Sequence, residues 1–129
     1  IEGNAGNEKL YGGKGADTLA GGTGADTFVF KSTSDSTVSA SGRDTLSDFS
    51  RAQKDQISLS AIDANTKIAG NQAFSFIGTD KFHSVAGELR YEKVSGDTLI
   101  HGDVNGDGKA DFSLLVDAAI DFSVGDFIL

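Results

Sequence analysis

The stretch GGKGADTLAGGTGADTFVF, residues 12–30, contains one nine-residue unit twice in succession. The units are 12–20 and 21–29, and residues 3–11, GNAGNEKLY, fit the same register. Positions one and four are glycine in all three units, position six is an acid, and position eight is Leu10, Leu19 or Phe28. A flexible glycine linker has no reason to keep a fixed acid and a fixed apolar residue. The repeat therefore predicts a built structure.

Each unit divides into a polar turn of six residues and a strand of three. Such a unit cannot bury its apolar residue alone, so successive copies must stack, as in solenoids. Strands of stacked coils lie about 4.8 Å apart, where two carboxylates repel by roughly 3 kcal/mol at an effective dielectric of 20. Calcium relieves this repulsion because it binds carboxylate and backbone carbonyl oxygens together. The repeat is thus interpreted as a calcium-binding ladder.

Composition narrows the classes of function. The 129 residues suffice for one hydrophobic core. With 19 acids against 11 bases and a net charge of −8, the chain is not expected to bind nucleic acid, and cations are the expected partners. No apolar run approaches the ~18 residues of a membrane helix, so no membrane insertion is expected. Because no methionine occurs, we expect a C-terminal piece of a longer protein. We also expect a monomer.

Catalytic and nucleotide-binding motifs are missing. Gly13 and Lys14 are followed by Gly15, so the Walker pattern G-x-x-x-x-G-K-[ST] is not met. There is no H-E-x-x-H or G-x-S-x-G, and His83 and His101 stand alone. We therefore expect a non-enzymatic chain without catalytic residues.

After a polar loop at 32–43, the pattern changes to short β-rich segments separated by turn signals. "SGD" after Val94 and "NGDG" at 105–108 are typical of hairpin turns. The predicted strands are 27–31, 44–49, 55–60, 73–77, 87–94, 97–101, 111–117 and 124–128.

The nonapeptides resemble the G-G-x-G-x-D-x-U-x calcium-binding repeat of RTX proteins. The ordered segments GADTFVF, DTLSDF, KDQISLSAID and AGELRYE resemble the C-terminal domain of serralysin-type (M10) secreted metalloproteases over nearly all of residues 12–129. The resemblance implies an all-β fold. A short calcium-binding parallel β-roll at 1–31 would be followed by a β-sandwich-like part at 32–129 that carries a secretion signal.

In this family the ions lie between turn n and turn n+2, held by position-six carboxylates and by carbonyls of the glycine-rich turns. Glu8 departs from the usual aspartate, and its longer side chain leaves its role open. Asp48 is either a ligand that closes the last site or a solvated strand-end acid. The implied metal-binding residues are Gly3, Ala5, Glu8, Gly12, Lys14, Asp17, Gly22, Gly24, Asp26, Asp48 and Asp55.

A second acidic segment, DVNGDGKADF, places Asp103, Asn105, Asp107 and Asp111 at positions 1, 3, 5 and 9 of an EF-hand-like loop. Position 12 is Leu114, so the bidentate glutamate is missing. Asn-Gly and Asp-Gly turns are also what a hairpin requires. Both interpretations, a calcium site and a metal-free turn, remain open.

The ending Asp126-Phe127-Ile128-Leu129 resembles the end of the serralysin type I secretion signal. The first hypothesis is therefore a calcium-dependent folding and export module of a secreted bacterial protein, with the type I secretion machinery as partner. The alternative is a carbohydrate-binding module of a polysaccharide-modifying enzyme (epimerase, lyase or glycanase), since RTX modules also occur there. Lys67, Lys81, Arg90 and Lys93 form no obvious basic stripe for such a ligand.

Overall fold

The computed structural model describes residues 1–129 and confirms the all-β prediction. Three short 3-10 turns, Thr33–Asp35, Ala40–Gly42 and Val124–Asp126, are the only helical segments, and no helix is long and apolar enough to cross a membrane. The strands are β1 Lys9–Leu10, β2 Thr18–Leu19, β3 Thr27–Val29, β4 Thr45–Leu46, β5 Gln56–Ser58, β6 Ser75–Phe76, β7 Glu88–Val94, β8 Asp97–Asp103, β9 Phe112–Val116 and β10 Phe127–Ile128.

The first five strands coil alternately through two sheets. β1, β3 and β5 lie in a four-stranded parallel sheet of order β1-β3-β5-β10, and β2 and β4 lie in a six-stranded sheet of order β2-β4-β9-β8-β7-β6. The predicted parallel β-roll is confirmed. Parallel pairing continues beyond residue 31, because β2 pairs with β4 and β3 pairs with β5. The domain division between residues 31 and 32 stays a prediction.

The apolar residue at position eight of each repeat fills the space between the sheets. Leu19 pairs with Leu46 and Phe28 pairs with Ile57, and all four side chains are fully buried. Polar position-seven residues such as Thr18 face outward, as the period of two in a strand requires. One cluster of 20 buried residues runs through the whole chain.

An antiparallel meander, β7-β8-β9, extends the six-stranded sheet. Both hairpin predictions are confirmed. Ser95 and Gly96, with φ of 52° and 88°, form a two-residue turn between β7 and β8. The loop 104–111 connects β8 to β9, which returns to pair in parallel with β4.

Several strands are shorter than predicted, and the segment 124–128 is strand only at β10. Its first three residues form a 3-10 turn, because the Ser123 and Asp126 side chains make a reciprocal capping box. The predicted strand 44–49 ends at Leu46, before Asp48, whose carboxylate caps backbone N–H groups of a neighbouring turn.

Candidate metal centres

The position-six acids of the coil stack into two columns. Glu8, Asp26 and Asp55 form the Asp26 column, and Asp17 and Asp44 form the Asp44 column. Within each column, a backbone N–H donates to the carboxylate one coil further on. The Glu8 N–H donates to Asp26 Oδ1 at 3.0 Å, the Asp26 N–H to Asp55 Oδ1 at 2.9 Å, and the Asp17 N–H to Asp44 Oδ1 at 2.8 Å.

Three of these carboxylates leave their second oxygen without a partner. Oδ2 of Asp17, of Asp26 and of Asp44 is buried and receives no hydrogen bond from the protein. Buried polar atoms are normally satisfied, and an unsatisfied charged oxygen costs more than a neutral one. Three such oxygens at equivalent repeat positions fit a hard cation such as calcium, which binds through oxygen ligands.

Asp44 shows how poorly the protein alone stabilises this charge. Burial raises the pKa of Asp44 from 3.8 to about 6; the Asp17 N–H lowers it, and the Asp17 and Asp35 carboxylates raise it further. Burial likewise raises the pKa of Asp55, against the lowering effect of the N–H groups of Asp26 and Ser50. A bound divalent cation would oppose these shifts, because it favours the ionised carboxylate.

Position-one glycines make room for the orphaned oxygens. A Cβ on Gly12 would lie 2.7 Å from Asp17 Oδ2, and a Cβ on the buried Gly21 would overlap Asp26 Oδ2. Neither glycine has a positive φ. Glycine is therefore needed at these positions because it leaves room for the carboxylate oxygen, and not because of its conformational freedom. Lys14, in the same turn as Gly12, is exposed.

The other predicted carbonyl residues lie in stacked turns of the Asp26 column. The Gly3 N–H donates to the Ala20 carbonyl at 2.7 Å, and Ala5 forms a parallel bridge with Thr23. The carbonyl oxygens of Gly22 and Gly24 converge on the side-chain amide of Gln53 in the next turn. These residues therefore lie in turns that stack on one another, and their roles as carbonyl ligands stay predictions.

Glu8 and Asp48 both act as backbone caps in the structure. Glu8 Oε1 accepts the N–H of Asn4, in its own turn, at 3.1 Å. The Asp48 carboxylate accepts the N–H groups of Gly21 and Gly22, each at 2.8 Å. Their roles as metal ligands, and that of Asp55, stay predictions.

Asp44 is a site residue that the sequence interpretation missed. It is fully buried, and its N–H donates to Ser36 Oγ at 2.9 Å. The sequence does contain a pattern that points to Asp44, because Asp44-Thr45-Leu46 repeats the triplet Asp17-Thr18-Leu19. The polar loop 32–43 hides it by interrupting the nine-residue period.

The acidic loop brings Asp103, Asp107 and Asp111 together, with one carboxylate oxygen of each within 4.8 Å of the others. Asp103 is buried and accepts the N–H groups of Gly106 and Gly108 at 2.8 and 2.9 Å. Asp111 Oδ2 accepts the Val104 N–H at 2.9 Å, and Asn105 Oδ1 accepts the Asp107 N–H at 3.1 Å. These bonds are those of a closed hairpin loop, and metal binding here stays a prediction.

Comparison with known proteins agrees with this architecture. Among solved structures, the chain is similar to the AlgE6R3 subunit of a mannuronan C5-epimerase from Azotobacter vinelandii, with a TM-score of 0.62 and 24% identity over 98% of this chain and 65% of that one. The AlgE6R2 subunit of the same epimerase gives a TM-score of 0.48 and 20% identity over 98% and 90%. A comparison with curated protein sequences gives no significant match.

The similarity to AlgE6R3 shows the fold, and this chain spans 65% of that structure. The family comparison is more specific. The model described as "Peptidase M10 serralysin C terminal" matches residues 3–129, which include both columns of acids and the C-terminal strand. Together with the RTX-type repeats, this match shows that the chain belongs to the peptidase M10 serralysin C-terminal family.

Proposed function

We propose that this chain is a non-catalytic calcium-binding module that couples calcium to folding and to export of a secreted bacterial protein, with a serralysin-like metalloprotease as the expected parent. The three buried, unpartnered oxygens of Asp17, Asp26 and Asp44 carry the proposal. Their negative charge opposes folding when no cation is present, so the free energy of calcium binding becomes folding free energy.

Removal of calcium is expected to unfold the roll. Far-UV circular dichroism of the chain in excess calcium should show a β-sheet spectrum that is lost on adding a chelator and regained on adding calcium. Magnesium at the same concentration is the control, because it prefers octahedral, partly hydrated sites and should restore little. A β-sheet spectrum that is identical with and without chelator would contradict calcium-dependent folding.

The C-terminal residues support a link between folding and export. β10 pairs in parallel with β5, and Phe127 packs in the core. Arg51 forms a 2.9 Å ion pair with the buried Asp126 carboxylate. The folded chain therefore buries Asp126 and Phe127, the first half of the segment that resembles the type I secretion signal, so the exporter would read this segment before calcium folds the chain outside the cell.

Deletion of residues 126–129 is expected to abolish export from cells that carry a type I exporter. Val124→Ala, which changes a side chain that is 61% exposed just upstream, is the matched control. The measurement is the fraction of the polypeptide found in the medium. Because an exported chain is unfolded in transit, lost folding alone should not block export; undiminished export of the deleted chain would contradict the proposal.

One observation favours the carbohydrate-binding alternative. A cleft of about 450 Å³ on the outer face of the four-stranded sheet is lined by Lys9, Tyr11 and Lys31, with serine and threonine hydroxyls and no acid. The Lys31 ammonium lies 4.7 Å from the Tyr11 ring centroid. These are basic residues that the sequence interpretation did not single out. This face would suit an acidic oligosaccharide. Titration of such an oligosaccharide into the calcium-loaded chain separates the two functions, because binding favours the carbohydrate-binding module and no binding favours the folding and export module.

A further inference from the structure

The carboxylate of Glu8 folds back over its own turn. Its Oε1 atom accepts the Asn4 N–H at 3.1 Å. A Cβ on Gly3 would lie 3.0 Å from the same oxygen, and a Cβ on Gly6 would lie 2.8 Å from Oε2. The side chain therefore reaches from position six of the repeat across the turn to the backbone of positions one, two and four.

Aspartate at position six leaves its second oxygen unused. Asp17 Oδ2 and Asp26 Oδ2 also lie next to the position-one glycine of their own turn, yet neither oxygen receives a hydrogen bond. The side chain of aspartate is shorter than that of glutamate by a methylene group. The difference between the turns therefore follows from the residue type at position six.

The third turn shows which role Glu8 has taken over. Its position-two N–H, that of Gly22, donates to Asp48 Oδ2 at 2.8 Å. Asp48 caps the backbone there, and Asp26 keeps an oxygen free. In the first turn, the equivalent N–H of Asn4 is capped by Glu8 itself. Hydrogen bonds from an N–H to a carboxylate are charge-assisted and stronger than neutral ones, so each turn gains from such a cap.

We propose that Glu8 is a backbone cap, in the role that Asp48 has on the third turn, and that it is not a calcium ligand. The position-six acids then differ in function, because Asp17 and Asp26 each keep an oxygen for the ion and Glu8 does not. The number of carboxylate ligands tunes calcium affinity. The residue type at position six therefore sets how much each turn contributes to calcium binding. This inference rests on the proposed calcium-binding function.

Glu8→Gln separates the two roles, because glutamine keeps an acceptor for the Asn4 N–H and removes the charge. Glu2→Gln makes the same charge change on an exposed residue just before the turn. We expect these two variants to have calcium midpoints of folding within about twofold of each other. Asp26→Asn, which removes the charge from an unpartnered oxygen, should raise the midpoint about tenfold. A calcium titration followed by circular dichroism measures all three midpoints.

Hydrogen exchange of the Asn4 N–H tests the cap without a substitution. In saturating calcium, this N–H and the Gly22 N–H should both exchange at least about tenfold more slowly than in the unfolded chain. A midpoint of Glu8→Gln as high as that of Asp26→Asn, or an Asn4 N–H that exchanges at the unfolded rate in saturating calcium, would overturn the proposal. If the wild type folds equally well without calcium, the proposed function fails instead, and exchange at Asn4 still tests the cap.

Discussion

Asp44→Asn is expected to stabilise the calcium-free chain at pH 7 and to remove much of its response to calcium. The wild-type carboxylate is fully buried, next to the Asp17 and Asp35 carboxylates, and its Oδ2 is unpartnered. Asparagine keeps an oxygen that can accept the Asp17 N–H and removes the charge. In the wild type, each filled calcium site should add about 2.7 kcal/mol when calcium is at a hundredfold excess over Kd. The variant should lose this gain at its own site.

The same substitution should flatten the pH dependence of the calcium-free chain. The folded pKa of Asp44 is raised from 3.8 to about 6, so the folded state binds the proton more tightly than the unfolded state does. The free energy of unfolding of the calcium-free chain should therefore fall as pH rises from 4 to 6 and then level off. The total fall that this group causes is at most about 3 kcal/mol. In Asp44→Asn this contribution is absent.

Urea unfolding in calcium, and the fraction of β-sheet signal that remains in chelator, each at pH 5 and pH 7, measure both effects. Asp80→Asn makes the same charge change on an exposed residue and should alter neither the pH dependence nor the calcium response. The expectation is wrong if Asp44→Asn is less stable than the wild type in chelator at pH 7, or if it keeps the full calcium gain.

Gly21→Ala is expected to destabilise the chain even in calcium. The new methyl group would overlap Asp26 Oδ2 at a buried position, and the carboxylate would have to leave its place in the column. Crowding of this kind costs about 1–3 kcal/mol. Loss of a calcium ligand adds to it, so we expect both a lower melting temperature and a weaker calcium response.

Gly125→Ala is the matched control for this substitution. A Cβ at Gly125 meets no atom within 4 Å, and its φ is not positive, so the change should lie within about 0.5 kcal/mol of neutral. Thermal unfolding in calcium compares the stabilities of the two variants, and a calcium titration followed by circular dichroism compares their calcium responses. Equal stability of Gly21→Ala and Gly125→Ala would show that the glycine at position one is not needed for space around the carboxylate.

The roll and its repeat positions could be predicted because their determinants are local. Gly12, Asp17 and Leu19 lie within one nine-residue unit, and the next unit repeats them, so period and residue type suffice to predict turn, acid and core positions. The two hairpins of the meander could be predicted for the same reason, since the residues at 95–96 and 104–111 are of types that favour turns.

The partners of these residues could not be predicted in the same way. Asp17 meets Asp44 27 positions later, after a loop that breaks the period, and Gln53 reaches the Gly22 and Gly24 carbonyls from a turn that has no glycine.

The repeat alone therefore determined the coil and its inward Leu19 and Phe28, and it supplied the expectation of a bound cation. Only the tertiary structure decided that Asp44 continues the column of Asp17, that the Asp26 N–H bonds to the Asp55 carboxylate, and that β10 joins the roll beside β5. The physical reason is the range of the interactions. Turn and strand preferences act within a few residues, whereas the pairing of coils depends on which distant segments bury apolar surface together.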